Sequence, residues 1–241
     1  MYLADYLNHI PIPAAFSLFI QNIVENTNRT NELCLTHKFC NKKALELLKN
    51  PFIKKTVSLH TLQENFSAVQ NGVVWADLNF KNTCHFFNPA TNHGLWFLPS
   101  ARSIFFSYLN KAEQASKRHN FPRAFFYLGA AAHLLQDMTV PHHVCIHLFH
   151  GHKKFERWVR AHLSEFTVLT DNTLPICQNP MELFIENAKF TVAFMPSING
   201  SVSEDIYFHC AQILLSRAQT SSAAFYLWFI KENISIYDAT L

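Results

Sequence analysis

His133 and Asp137 stand four residues apart in the run Ala124–Asp137. On a helix both side chains leave one face and can offer a nitrogen and an oxygen to a shared cation. Met138-Thr139-Val140 leads to Pro141, which ends the helix and lets His142 or His143 turn back toward the same cavity. His152 and Glu156 repeat the four-residue spacing further along. Upstream, His37 lies near a helix start, and Asp77 and His85 stand at an Asn-rich loop. Imidazole mixed with carboxylate is a donor set that suits Zn²⁺, which takes about four ligands per ion. Spacing alone is weak evidence. With 14 His and 17 Asp+Glu in 241 residues, about one His-x-x-x-acid pair arises by chance at average usage. Three occur, and His60/Glu64 is taken as the accidental one.

The frame that must hold these residues reads as helical. Only 5 Gly are present, too few for a turn-dense β-sandwich or a glycine-rich nucleotide loop. Thr36 is a candidate N-cap for a helix through Leu48, with Pro51 as its stop. Further helices are expected over Ser58–Val74, Ala101–His119, Pro122–Asp137, Lys153–Glu165, Met181–Phe194 and Ser203–Asn233, with Asn79–Ser100 as a long loop. No β-alternation is sustained and no internal repeat is found. The expectation is all-α, a single compact multi-helix domain over residues 34–241, with Phe121, Phe125 and Phe126 as core packing.

Composition excludes several classes. Apolar residues make up 49% and charged residues 15%, which rules out intrinsic disorder. The formal charge is +3 and no basic run exceeds two lysines, so nucleic acid is not an expected partner. Neither Ile10–Ile20 nor Ala223–Ile230 reaches the ~20 residues needed to span a bilayer. Residues 1–33 read as an N-terminal extension, or as a signal or pro-segment whose flank is unusual in carrying Asp5 and no Lys or Arg before the apolar stretch. Six scattered Cys without a CxxC specify neither a disulfide frame nor a thiolate zinc site.

In this order the residues resemble the bacterial zinc-dependent phospholipase C family, including its alpha-toxin type. The resemblance is carried by Thr36-His37, Trp75-Ala76-Asp77, His85-Phe86-Phe87-Asn88-Pro89 and Ala124-Phe125-Phe126-Tyr127-Leu128-Gly129 leading to His133 and Asp137. Pro141-x-His143, Gly151-His152-Lys153-Lys154-Phe155-Glu156 and the Tyr-Leu-Trp-Phe end of Ala224–Phe229 complete it. It runs over about residues 34–232. It implies an all-α domain with a three-zinc cleft, with Asp77, His85, His133 and Asp137 on the first ion and His143, His152 and Glu156 on the second. Asp137 would bridge to a third, which also takes His37. The family spacing selects His143 over His142, leaving His142 as a supporting or solvent-facing residue. The carboxylate matching Asp77 would be either a catalytic general base or a plain ligand.

The implied activity is hydrolysis of a phospholipid to diacylglycerol and a phosphorylated head group, by a secreted protein with transient membrane-surface contact. Trp96, Phe97 and Leu98 are the expected inserting tip. The related single-strand nucleases share the scaffold, and a catalytically reduced zinc-binding protein is the remaining alternative. Two departures stand out. The four Trp are 75, 96, 158 and 228, so the family's N-terminal Trp ligand to the third zinc has no counterpart near His37. Leu78 and Asn82 occupy the positions of the aromatic residues that would cage a quaternary ammonium.

Overall fold

A computed structural model describes residues 34–50, 59–79, 81–148, 151–166, 174–200 and 202–234. Residues 1–33, with the expected extension or signal, lie outside the described residues. Ten α-helices are formed among the described residues: α1 Leu35–Leu48, α2 His60–Glu64, α3 Phe66–Asp77, α4 Ala101–Lys117, α5 Phe121–Asp137, α6 Pro141–Val144, α7 His152–Ala161, α8 Pro180–Val192, α9 Met195–Ile198 and α10 Glu204–Asn233. Short 3₁₀ turns occupy Lys81–Cys84 and Leu163–Glu165. No strand forms among the described residues; one isolated antiparallel bridge joins Asn88 to His93.

The architecture is built around α5. Its start is locally encoded: the Asn120 side chain accepts from the Arg123 amide at 3.2 Å, and Pro122 sits in the first turn. From Leu128 to Asp137 every residue is buried, so this helix is enclosed rather than amphipathic at its far end. Its own Phe125 joins Phe87, Phe105, Phe184, Phe225 and Phe229 in the core, and α5 packs against α3, α4 and α10.

Two glycines set the closeness of α3 and α5. A Cβ on Gly72 would fall 1.9 Å from the Phe126 carbonyl oxygen, and one on Gly129 would fall 2.0 Å from that of Val69. No side chain fits at either point, so the two backbones touch. That contact lays the C-terminal turns of α3, carrying Val73 and Asp77, beside His133.

Several expected boundaries shift for local reasons. The helix expected over Ser58–Val74 divides at Asn65, whose side-chain amide donates to the Thr61 carbonyl at 2.9 Å, and α3 continues to Asp77. The α1 N-cap is Cys34, in the left-handed region at φ 62° with no side-chain cap, rather than Thr36. The region expected as Lys153–Glu165 is α7 followed by a 3₁₀ turn, and Met181–Phe194 becomes α8 with α9 beyond it, where Pro196 stands in the first turn. In the loop after α3, Leu98 is buried with Cys84, Phe86 and Leu95, so it anchors the loop instead of forming its tip. Trp96 and Phe97 are 50% and 54% exposed.

Candidate metal centre

Five elements converge on one cleft: the start of α1, the end of α3, the turn before Phe86, the end of α5 with α6, and the start of α7. Asp137 is its hub. It is buried, with His85 Nδ1 2.9 Å and His133 Nε2 3.4 Å from Oδ2, and His37 Nε2 3.5 Å from Oδ1. Oδ2 nevertheless makes no hydrogen bond of acceptable geometry. A buried carboxylate oxygen ringed by imidazole nitrogens, yet unbonded to them, is the arrangement expected where a cation sits between the donors.

The second nitrogens of these rings explain why the first ones are available. His133 Nδ1 lies 3.0 Å from the Val73 carbonyl, His85 Nε2 3.1 Å from that of Ala76, and His143 Nδ1 2.9 Å from that of His85. A carbonyl only accepts, so each of these nitrogens carries a hydrogen, and in the neutral ring the opposite nitrogen presents its lone pair to the cleft. The donor atoms of His37, His133 and Asp137 lie within 4.8 Å of one another; so do those of Asp77, His85 and His133, and those of His143, His152 and Glu156. The eight residues expected from the sequence thus fall into three groups, the first two sharing His133.

The third group opens toward solvent. Glu156 Oε1 is 2.8 Å from His152 Nε2 and 3.4 Å from His143 Nε2, and its side chain keeps 46% exposure. Phe86 stacks on His143 with ring centroids 4.9 Å apart and holds that imidazole flat against the wall.

Charge and burial act against each other here. Burial opposes ionisation of Asp137, but the surrounding His143, His133 and His85 hold its carboxyl well below the usual carboxylate range. Glu156 is lowered likewise, the partial desolvation of its carboxylate outweighed by His152 and His143. Burial also drives His133 well below the ordinary imidazole value, with His37 adding to the shift. His143 goes the other way: burial would lower it, but the Asp137 charge and Glu156 raise it from 6.5 to about 9.

His60 and Glu64 form an exposed pair at 3.4 Å and belong to none of the three donor groups. His142 is fully buried, which removes the solvent-facing alternative. It stacks on His152 at 5.1 Å, and burial together with His152 and His143 pushes it down to about 3. Two neighbours of the site escaped the sequence reading. Cys34 Sγ lies 3.6 Å from Asp77 Oδ2 and 3.8 Å from the Val73 carbonyl, and burial followed by the Asp77 charge raises its thiol. Gln136 Oε1 lies 2.8 Å from His37 Nδ1. Neither has a metal-ligand spacing that would single it out. All six cysteines are free.

A family model described as zinc dependent phospholipase C matches residues 36–191. Among solved structures, the alpha-toxin of Clostridium perfringens from an avian strain is similar, with a TM-score of 0.69 at 21% identity over 83% of this chain and 64% of that one. The alpha toxin of Clostridium absonum gives 0.68 at 20% identity over 83% and 65%. At these identities the likeness is one of fold, and the chain spans just under two thirds of each toxin. No curated protein sequence matches.

Proposed function

Since the chain belongs to the zinc-dependent phospholipase C family, we propose that it is a zinc-dependent phosphodiester hydrolase that releases diacylglycerol and a phosphorylated head group from phospholipid. The observation that carries this reading is the convergence of three imidazoles on the buried Asp137 carboxylate, two of them on Oδ2, which no hydrogen bond satisfies, and one on Oδ1. The donor set suits zinc: nitrogen and carboxylate oxygen, with no thiolate required. Residues 34–241 form the catalytic unit, and the protein acts outside the cell; among the described residues no helix is long and apolar enough to cross a membrane.

In this reading Asp77, His85, His133 and Asp137 hold one ion, His143, His152 and Glu156 a second, and Asp137 with His37 a third. Bound zinc supplies cationic charge to a phosphodiester and acidifies water toward neutrality. The chain's own residues supply orientation. The carbonyls of Val73, Ala76 and His85 fix which nitrogen of three imidazoles faces the donor groups, so the rings are oriented before any ion arrives, and His143 has only to release its second proton. Asp77 is half-buried at the cleft edge, where its carboxylate can take a proton from water while remaining within reach of His85 and His133. Phospholipid reaches the cleft through transient contact with the membrane surface by Trp96 and Phe97. With Leu78 and Asn82 in place of aromatic residues, a choline head group is not the favoured one.

The test is incubation of zinc-loaded protein with vesicles of mixed phosphatidylethanolamine, phosphatidylglycerol and phosphatidylcholine, beside single-stranded DNA. Diacylglycerol formation that chelation abolishes and zinc restores is the expected result. Cleavage of DNA with the vesicles untouched would replace the substrate by nucleic acid. Zinc bound without turnover of either would make the protein a metal-binding module.

A further inference from the structure

Of the three imidazoles touching Asp137, two are held by main-chain carbonyls. His37 alone is held by a side chain, that of Gln136. An amide can present either its oxygen or its NH₂, so this contact by itself leaves the His37 tautomer undetermined. The surrounding network removes the ambiguity, starting from an atom that has no choice.

That atom is the Lys38 carbonyl oxygen, which can only accept. Gln70 donates to it through Nε2 at 3.2 Å. Gln70 Oε1 therefore faces Asn41 and accepts from its Nδ2 at 3.0 Å. Asn41 Oδ1 is then the acceptor for Gln136 Nε2 at 2.7 Å and for the Tyr226 hydroxyl at 2.7 Å. The other hydrogen of Gln136 Nε2 goes to Ser222 Oγ at 2.9 Å. Gln136 is thereby left with Oε1 toward His37, 2.8 Å from Nδ1. Nδ1 must carry the hydrogen. Each step follows from the one before because reversing any amide would set two donors or two acceptors face to face, at half-buried Gln70 and at fully enclosed Asn41 and Gln136.

The consequence falls on the far side of the ring. With the hydrogen on Nδ1, a neutral His37 turns the lone pair of Nε2 toward Asp137 Oδ1, 3.5 Å away. Two acceptors facing each other across that gap call for a cation. Asn41, Gln136 and Tyr226 are all buried, so the polarity of the relay is shielded from exchange with water. It begins and ends on α1 while passing through α3 and α5 and touching α10, so it also clamps the helix bearing His37 to the helices bearing Asp77 and Asp137.

We propose that Gln136 is a positioning residue for the zinc ion shared by His37 and Asp137: it holds His37 in the Nδ1–H tautomer and aims Nε2 at the metal. This rests on the zinc reading above. Wild type, Gln136→Leu and Gln136→Glu, each checked for helical content, are equilibrated with buffered free Zn²⁺. Ions per chain and their dissociation constants are measured, together with the ¹⁵N shifts of the His37 ring in histidine-labelled protein.

The expected result is a wild-type ring protonated at Nδ1 and metal-bound at Nε2. In Gln136→Leu one ion is bound about 10–100-fold more weakly, the usual effect of losing a partner behind a ligand, and the ions on the other residues are kept. Gln136→Glu, which still offers an oxygen to Nδ1, restores most of the loss. Wild-type affinity in Gln136→Leu, or a zinc-loaded wild type with His37 protonated at Nε2, would overturn the proposal. If Gln136→Leu does not fold, the wild-type ring decides alone. A wild type that binds no zinc anywhere overturns the underlying reading, a result distinct from normal zinc binding that ignores Gln136.

Discussion

Asp137 and His143 carry opposite burdens in the same cleft. The Asp137 carboxyl stays ionised because imidazoles surround it, whereas His143 is raised to about 9 by Asp137 and Glu156. In the zinc-free protein His143 is therefore protonated at neutral pH, and a metal arriving at its group has to displace that proton. Zinc affinity there should rise with pH from 6.5 up to about 9 and flatten beyond it, with proton release on binding. A zinc titration at several pH values checks this; affinity independent of pH would contradict it. The linkage for folding has the reverse sense. A raised imidazole contributes stability that is fully present below pH 6.5 and lost as pH climbs through about 9, so thermal scans of zinc-free protein should show a falling midpoint over that interval. His133 lies in two of the three donor groups. His133→Ala should remove at least one zinc per chain and depress activity by more than about 100-fold, beyond the usual effect of losing only a supporting partner; elemental analysis and turnover of the same sample test this.

The helices contribute by how closely they approach. His133 reaches the Val73 carbonyl only because Gly72 and Gly129 let α3 and α5 meet backbone to backbone. Gly129→Ala must push the helices apart, since the methyl would meet the Val69 main chain, which cannot swing aside. Overpacking of this kind costs about 1–3 kcal/mol, and main-chain obstruction places it at the upper end. Melting should fall by roughly 6–12 °C for a chain of this size, and zinc affinity should drop with it. The helix types and most of their lengths were legible in the sequence, because apolar spacing and proline placement are local signals. The break at Asn65 was not, since it depends on one side chain turning back to the Thr61 carbonyl. The Cys34 cap was missed for a similar reason: Thr36 had the right residue type, but the chain turns two residues earlier.

In the proposed function the molecule as a whole meets its substrate through the loop between α3 and α4. Leu98 is buried there while Trp96 and Phe97 stay exposed, so a pinned loop presents two aromatic rings. Trp96→Ser with Phe97→Ser should reduce turnover of vesicle-bound phospholipid several-fold and leave a soluble phosphodiester unaffected. An equal loss on both substrates would assign these residues a structural part instead.

The eight residues that the structure gathers into three possible donor groups had all been named from the sequence. Residue type and four-residue spacing on a helix are properties of the chain, and the order of the motifs along it pointed to one family. What the sequence could not carry were the relations between distant segments. That His142 is enclosed rather than wet, that Leu98 is an anchor, and that Gln136 rather than a carbonyl stands behind His37 depend on contacts across scores of residues. Burial and hydrogen-bond polarity are settled only when α1, α3, α5 and α10 close on one another. Only then does an amide lose its freedom to turn, and an imidazole its choice of tautomer.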